Sequence, residues 1–338
     1  MSGALLELEN LSCHYVSAQG TRTVRAVDEV SLSLDAGETL GIVGESGSGK
    51  STLALTLMRV LPPAARIVGG RMLFEGEDLV QKSEVEMQHI RGKRIAMILQ
   101  DPMVSLNPLF TIGDQVGEPI RVHEGVGRAS AWSRASGLLK AVRIPSPETR
   151  LKQYPHEMSG GMRQRIVGAI GISCEPRLLI ADEPTTSLDL TIQAQYLKLL
   201  HDLQQEHGLA LIFITHNLGI VAKMCDKLAV MYAGRVVESG PVSQIFNSPA
   251  HPYTKALLNS IPRMGDPDQR LTAIDGQPPD LSALPPGCSF APRCPQAMAR
   301  CRDAAPPPFA PEEGRTARCW LAEPVATGAD WRAAGRVQ

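Results

Sequence analysis

The stretch GESGSGKST at residues 44–52 limits what this chain can fold into more than any other segment. It follows the apolar run ETLGIV and precedes a helical pattern that extends from Lys50 to Leu61 and stops at Pro62 and Pro63. A strand, a glycine-rich loop and a helix in that order form an anion cradle. Glycines let successive amides turn inward, and the helix amino end adds partial positive charge. Gly44, Glu45, Ser46, Gly47, Ser48 and Gly49 are the predicted phosphate-binding backbone, with Thr52 just behind them. Lys50 is predicted to reach the β- and γ-phosphates of a nucleotide, and the Ser51 hydroxyl to ligate Mg2+. The bland alternative is a flexible Gly/Ser turn. A phosphate loop serves many ends, so the rest of the chain has to narrow the choice.

Two later runs, LLIADE (178–183) and LALIFITH (209–216), are continuously apolar and end in polar residues. Buried parallel strands have that form, with chemistry at their carboxyl ends. Between them QAQYLKLLHDLQQEHG has helical spacing and a closing glycine, so the core reads as α/β. Residues 5–43 read as strands separated by polar turns, and residues 105–160 as short helices broken by Pro and Gly. At the end of LLIADE, Asp182 suits an Mg2+ between β- and γ-phosphates, and Glu183 suits polarisation of an attacking water. A helix cap or a solvated acidic pair is the competing reading. His216 closes the next strand within reach of a γ-phosphate; a lone His there is more often structural, but its company favours the site.

The 338 residues are 43% hydrophobic with a net charge of −1, a poor match to a nucleic-acid backbone. No run reaches the roughly 18 apolar residues of a membrane span. Glu7 and Glu9 stand where a secretory signal would be basic and apolar, so a cytoplasmic chain that meets membranes through partners is expected. Of seven cysteines, Cys13, Cys174 and Cys225 read as ordinary thiols. Cys288, Cys294, Cys301 and Cys319 cluster as C-x5-C-x6-C-x17-C in a proline-rich tail after residue 261. In a cytosolic chain such clustering favours metal over disulfide, and a tail without a large core would need a staple. Zinc, an iron–sulfur cluster and metal-free thiols all remain open on spacing, with Arg293, Arg300 and Arg302 available to offset a cluster's charge.

These residues carry a family resemblance over nearly the whole chain. MSGGMRQR (158–165) resembles the signature motif of ABC ATPases, Gln100 the Q-loop glutamine, Ser187-Leu188-Asp189 the D-loop and His216 the switch histidine. Tyr15, 35 residues before Lys50, resembles the aromatic that stacks on adenine. QDPMVSLNP (100–108), YPHEMSGGMRQR (154–165), ADEPTTSLD (181–189) and HPYTKALL (251–258) are similar to the dipeptide/oligopeptide importer subfamily. Met162 and Met158 depart from the general ABC consensus, the former as that subfamily does.

The resemblance implies an α/β P-loop ABC ATPase core with an N-terminal antiparallel β region, an inserted helical subdomain and a small loop-rich C-terminal metal-binding region. Residues 1–260 would be the nucleotide-binding domain, about 101–165 its helical subdomain, and 261–338 the importer-type C-terminal region. It implies ATP and Mg2+, with Ser51, Gln100 and Asp182 near the metal, and a [4Fe–4S] cluster on the four tail cysteines with zinc as alternative. ATP would be sandwiched between this chain's loop and Ser159, Gly160 and Gly161 of a second, related ATPase subunit, with Asp189 nearby. Two transmembrane permease subunits, docked around residues 100–150, and an external solute-binding protein would complete an importer at the cytoplasmic face of the bacterial inner membrane. Dipeptides or oligopeptides are the expected cargo; nickel, glutathione or sugars are the alternatives within the class. No nucleic-acid partner is expected: only roughly 110 residues separate Lys50 from Ser159, without the heptads of DNA-repair members. A degenerate cassette that binds but does not cleave ATP is opposed by the intact Lys50, Asp182, Glu183 and His216.

Overall fold

The structure, a computed structural model, describes residues 3–186, 188–261 and 273–323. In chain order the strands are β1 (Leu6–Val16), β2 (Thr23–Leu34), β3 (Thr39–Val43), β4 (Ala65–Phe74), β5 (Glu77–Asp78), β6 (Ile95–Ile98), β7 (Leu178–Asp182), β8 (Ala210–Ile214), β9 (Lys227–Tyr232), β10 (Arg235–Pro241) and β11 (Thr316–Ala317). They form two sheets, an antiparallel one ordered β2-β1-β4-β5 and a mixed one ordered β11-β10-β9-β3-β8-β7-β6. Strands β3, β7 and β8 pair in parallel and are buried at every residue. Helices cover both faces of such a sheet, which is why these strands are apolar throughout instead of alternating.

Two clusters flank the central strands. On one side Leu53, Leu57, Ile42, Ile180 and Ile212 join the antiparallel sheet through Leu11, Val30 and Phe74. On the other, Leu179, Leu211 and Phe213 meet Ile166, Tyr196 and the helical region. That region runs between β6 and β7 and holds the helices Ile112–Glu124, Arg128–Ala141 and Gly160–Ile172. The chain is therefore an α/β fold with an N-terminal antiparallel sheet and a helical insertion.

Two details differ from the sequence reading. The first helix spans Lys50–Met58 and ends before the prolines, because Arg59 turns left-handed (φ 49°) and its N–H bonds the carbonyls of Leu55 and Thr56. Strand β4 is absent from that reading because Gly69 and Gly70 interrupt its alternation. Gly70 sits at φ 87°, where a Cβ would lie 2.4 Å from the Asn10 carbonyl oxygen, beside an irregularity in the β1–β4 register.

The tail requires a correction. It is fastened to the core by packing and charge, not by a metal. Phe290 is buried against Tyr232 and Tyr253 at ring-centroid distances of 5.3 and 5.4 Å. β11 extends the main sheet by pairing antiparallel with β10. Arg315 and Glu238 form a buried ion pair at 2.6 Å, and Glu238 also accepts the Ala250 and His251 amides. Losing one member of such a buried pair typically costs about 3–5 kcal/mol. Cys288, Cys294, Cys301 and Cys319 do line one cavity, but it measures about 10 Å³, room for roughly one water. Burial pushes the Cys288 and Cys294 thiols above the usual range and Cys319 up to about 11. Among the described residues no group of three or more His, Cys, Asp or Glu side chains is arranged to hold a metal ion. The expected iron–sulfur cluster is thus overturned, and no zinc-holding group is found in its place among the described residues. Nor do the arginines serve a cluster: Arg293 pairs with Glu45, and Arg300 with Glu323 and the Trp320 ring.

Candidate nucleotide site

Strand β3 delivers the chain into the loop at Gly44, and the loop ends at Gly49, the N-cap of helix Lys50–Met58. Gly49 sits at φ 103°, and a Cβ there would lie 2.0 Å from the Ala26 carbonyl oxygen, so no other residue fits without moving backbone. Lys50 is 7% exposed and its ammonium donates to the carbonyls of Gly44 (2.8 Å) and Glu45 (2.9 Å) and to the Ser48 hydroxyl (3.4 Å). Burial lowers its pKa from the ordinary lysine value, opposed by the charges of Glu183, Asp182 and Glu45. The lysine is thus held inside the loop's own curve, where its charge and the loop amides can face the same anion.

This loop forms one wall of a pocket of about 570 Å³. Tyr15 from β1 stands in it with its hydroxyl 3.3 Å from the Thr52 hydroxyl. Ser46, Gly47, Ser51, Gln100, Glu183 and His216 also line it, together with Leu281 from the tail. Strand ends β6, β7 and β8 therefore bring Gln100, Glu183 and His216 to the face that the loop presents, as parallel strand order dictates.

Asp182 and Glu183 are adjacent in sequence but differ in environment. Asp182 is 5% exposed, hydrogen-bonded to the Ser51 side chain, and its Oδ1 has no partner among the described residues. Burial, first, and the neighbouring Glu183 charge raise its pKa from the ordinary aspartate value against the pull of Ser51 and Lys50. A buried carboxylate oxygen without a donor is costly unless a cation completes it. Asp182 and Ser51 therefore fit an Mg2+ ion. A carboxyl whose folded pKa lies above its unfolded value loses stability as pH rises through that interval, and the loss persists at neutral pH. Asp182→Asn is thus expected to raise the nucleotide-free thermal midpoint by about 2 °C and to abolish the additional stabilisation that Mg2+ brings to the ATP-bound chain. Thermal scans with ATP plus Mg2+ and ATP plus EDTA test this; a lowered nucleotide-free midpoint would contradict it.

Glu183 is the convergence point. Its backbone is left-handed (φ 45°), and its Oε2 accepts from Gln100 Nε2 (3.2 Å) and the Thr186 hydroxyl (3.0 Å), with His216 Nδ1 at 3.4 Å. A strained φ at a non-glycine residue aimed into a pocket is typical of functional positions. Thr186 escaped the sequence reading, although it lies three residues on within ADEPTTSLD.

Ser159, Gly160, Gly161 and Asp189 are not brought to this pocket. Ser159 caps the helix Gly160–Ile172, its hydroxyl accepting the Met162 amide at 3.3 Å. Asp189 caps Leu190–His207 through the Thr191 and Ile192 amides. Both caps are exposed, and the two helix starts adjoin, since a Cβ on Gly161 would lie 2.8 Å from Ile192 Cγ2. Ser187, read with Asp189, lies outside the described residues.

A phosphate loop, a buried carboxylate beside the helix serine and a strand-end glutamate facing it define a P-loop nucleoside triphosphatase. The ABC transporter family matches residues 27–186, and the oligopeptide/dipeptide transporter C-terminal region matches residues 237–301. The dipeptide transport ATP-binding protein DppD of Bacillus subtilis is 49% identical, covering 94% of this chain and 94% of its own length. The oligopeptide transport ATP-binding protein OppD of Salmonella typhimurium is 47% identical, again covering 94% of each. A dimeric ATP-binding cassette in a post-hydrolysis state, bound to ADP and Pi, superposes with a TM-score of 0.63 over 70% of this chain and 98% of its own; at 24% identity it shows the fold alone. The chain belongs to the ATP-binding proteins of the oligopeptide/dipeptide ABC transporter family, and it is an ATPase. Among the described residues no helix is long and apolar enough to cross a membrane.

Proposed function

We propose that this chain hydrolyses ATP to drive dipeptide or oligopeptide import, working at the cytoplasmic face of the bacterial inner membrane. Its partners in this reading are a second ATPase subunit, two permease subunits and, through them, an external binding protein. The single observation that carries the two-subunit part is the separation of Ser159, Gly160 and Gly161 from the pocket of the same chain. An exposed helix start with a hydroxyl and free amides is an anion receptor that needs a γ-phosphate from elsewhere. The similarity to DppD and OppD supports peptides as cargo. We take residues 1–260 as the nucleotide-binding domain, about 101–165 as the insertion that meets the permeases, and 261–338 as the importer-type tail.

In the proposed reaction Tyr15 stacks on the base, while the amides of residues 44–49, together with Lys50 and Thr52, hold the triphosphate. Ser51, Asp182 and Gln100 are the residues that would hold Mg2+, whose chemistry when bound is neutralisation of phosphate charge. Glu183 accepts a hydrogen bond from the attacking water and orients it in line with the γ-phosphate. Gln100 and His216 fix the rotamer of Glu183, and His216 lies next to the γ-phosphate. The partner's signature serine and glycines close the far side, with Asp189 shaping that edge.

Reconstitution in vesicles tests the reading. The chain, co-purified with its permeases and second ATPase, is expected to accumulate labelled dipeptide or oligopeptide from the binding-protein side only when ATP is supplied to the opposite face. ATP turnover with no peptide movement, or movement in the opposite direction, would refute it.

A further inference from the structure

The second residue of the phosphate loop, Glu45, is an acidic group beside a site that binds a polyanion. Its charge acts on Lys50 and its own carbonyl accepts from the Lys50 ammonium at 2.9 Å. Left free, such a carboxylate would repel the phosphates that the loop exists to hold. It is not free. Arg293, from the tail and 248 residues away in sequence, donates from both terminal nitrogens to both carboxylate oxygens, at 2.7 and 3.0 Å. The arginine side chain is 4% exposed and is fixed in turn by the carbonyls of Asp275 and Ile274 and by the Tyr232 hydroxyl. Tyr253, in the HPYTKALL segment, accepts the Glu45 amide at 2.9 Å. Two parallel N–H···O bonds from a planar guanidinium set both the charge and the direction of the carboxylate.

We infer that Arg293 is a positioning residue for nucleotide binding: it neutralises Glu45 and turns its carboxylate away from the phosphates, so that the C-terminal region completes the loop. This rests on the nucleotide reading above. It gives the tail a role in the ATP site that needs no metal. The charge balance involves the groups facing Glu45 from each neighbouring element: Arg293 from the tail, Lys50 from the loop's helix, and the hydroxyls of Tyr232 and Tyr253.

The test is a double-mutant cycle on the full chain, read as affinity for ATP and for inorganic tripolyphosphate by direct titration at low salt. Arg293→Ala is expected to weaken both ligands about tenfold, because a unit charge is uncovered close to the phosphates. Adding Glu45→Gln to Arg293→Ala is expected to restore affinity to within about twofold of the unaltered chain. A purely structural tie would not be rescued by removing the second member. Glu45→Gln alone leaves Arg293 in place as an uncompensated cation, and its affinity is expected to equal or exceed that of the unaltered chain. That arm stands even where Arg293→Ala fails to fold. Unchanged affinity in Arg293→Ala, no rescue in the double variant, or weakened binding in Glu45→Gln alone would each overturn the inference. Absence of ATP binding by the unaltered chain would instead refute the nucleotide reading itself.

Discussion

Glu183→Gln is expected to leave ATP affinity within about twofold and to cut turnover in the assembled complex by about 10²- to 10³-fold. Gln keeps the size of the side chain and can still accept from Thr186, whose hydroxyl lies at 3.0 Å in the unaltered chain. What it loses is the negative charge that draws a proton of the attacking water, and charge placement is most of what a phosphoryl-transfer site contributes. The His216 contact at 3.4 Å and the Gln100 contact at 3.2 Å converge on the same oxygen, so the rotamer is specified from two further strand ends. A variant blocked after binding would accumulate the ATP-held pair of subunits. Single-turnover measurements with radiolabelled ATP, alongside equilibrium binding, separate the two steps. Turnover within tenfold of the unaltered complex would remove Glu183 from the role assigned to it.

What the sequence disclosed follows the range of the interactions involved. The loop at 44–52 was legible because its function depends on neighbours in sequence: glycines, a lysine and a serine at fixed offsets before a helix. The apolar runs of β7 and β8 were legible because burial on both faces leaves no alternation to misread. Strand β4 was not, since Gly70 serves a close approach to β1 that nothing local announces. The tail is not legible in the sequence for a related reason. Its four cysteines have a suggestive spacing, but thiol chemistry depends on burial and cavity size, and those come from Phe290, Trp320 and His251 packed around them. The fastening lies instead in pairs such as Arg293–Glu45 and Arg315–Glu238, separated by 248 and 77 residues. Such pairs leave no periodic trace. HPYTKALL is similar to the family's wording, yet its Tyr253 contact to the Glu45 amide exists only in the folded chain.

Gly160→Asp tests the proposed shared site without damaging either fold or pocket. Among the described residues a Cβ at Gly160 meets nothing within 4 Å, and the position opens the helix Gly160–Ile172, where a carboxylate is favoured by the helix dipole. Gly161 is unsuitable for this purpose, because a Cβ there would be 2.8 Å from Ile192 Cγ2. The isolated subunit carrying Gly160→Asp is expected to keep its melting temperature and its ATP affinity, since Ser159 and Gly160 lie outside the pocket built on Lys50. With the matching change in both ATPase subunits, ATP-driven association is expected to fall by at least about tenfold, and turnover by about 10²-fold or more, because a γ-phosphate would meet a negative charge in place of amides. With the change in this chain alone, only the nucleotide held by the partner's loop is affected, so one site per pair should remain occupied and the other empty. Counting bound nucleotide per pair distinguishes that pattern from a general loss of function. If association and turnover persist with both signature segments carrying the acid, each chain must complete its own pocket, and the exposure of Ser159 has another cause.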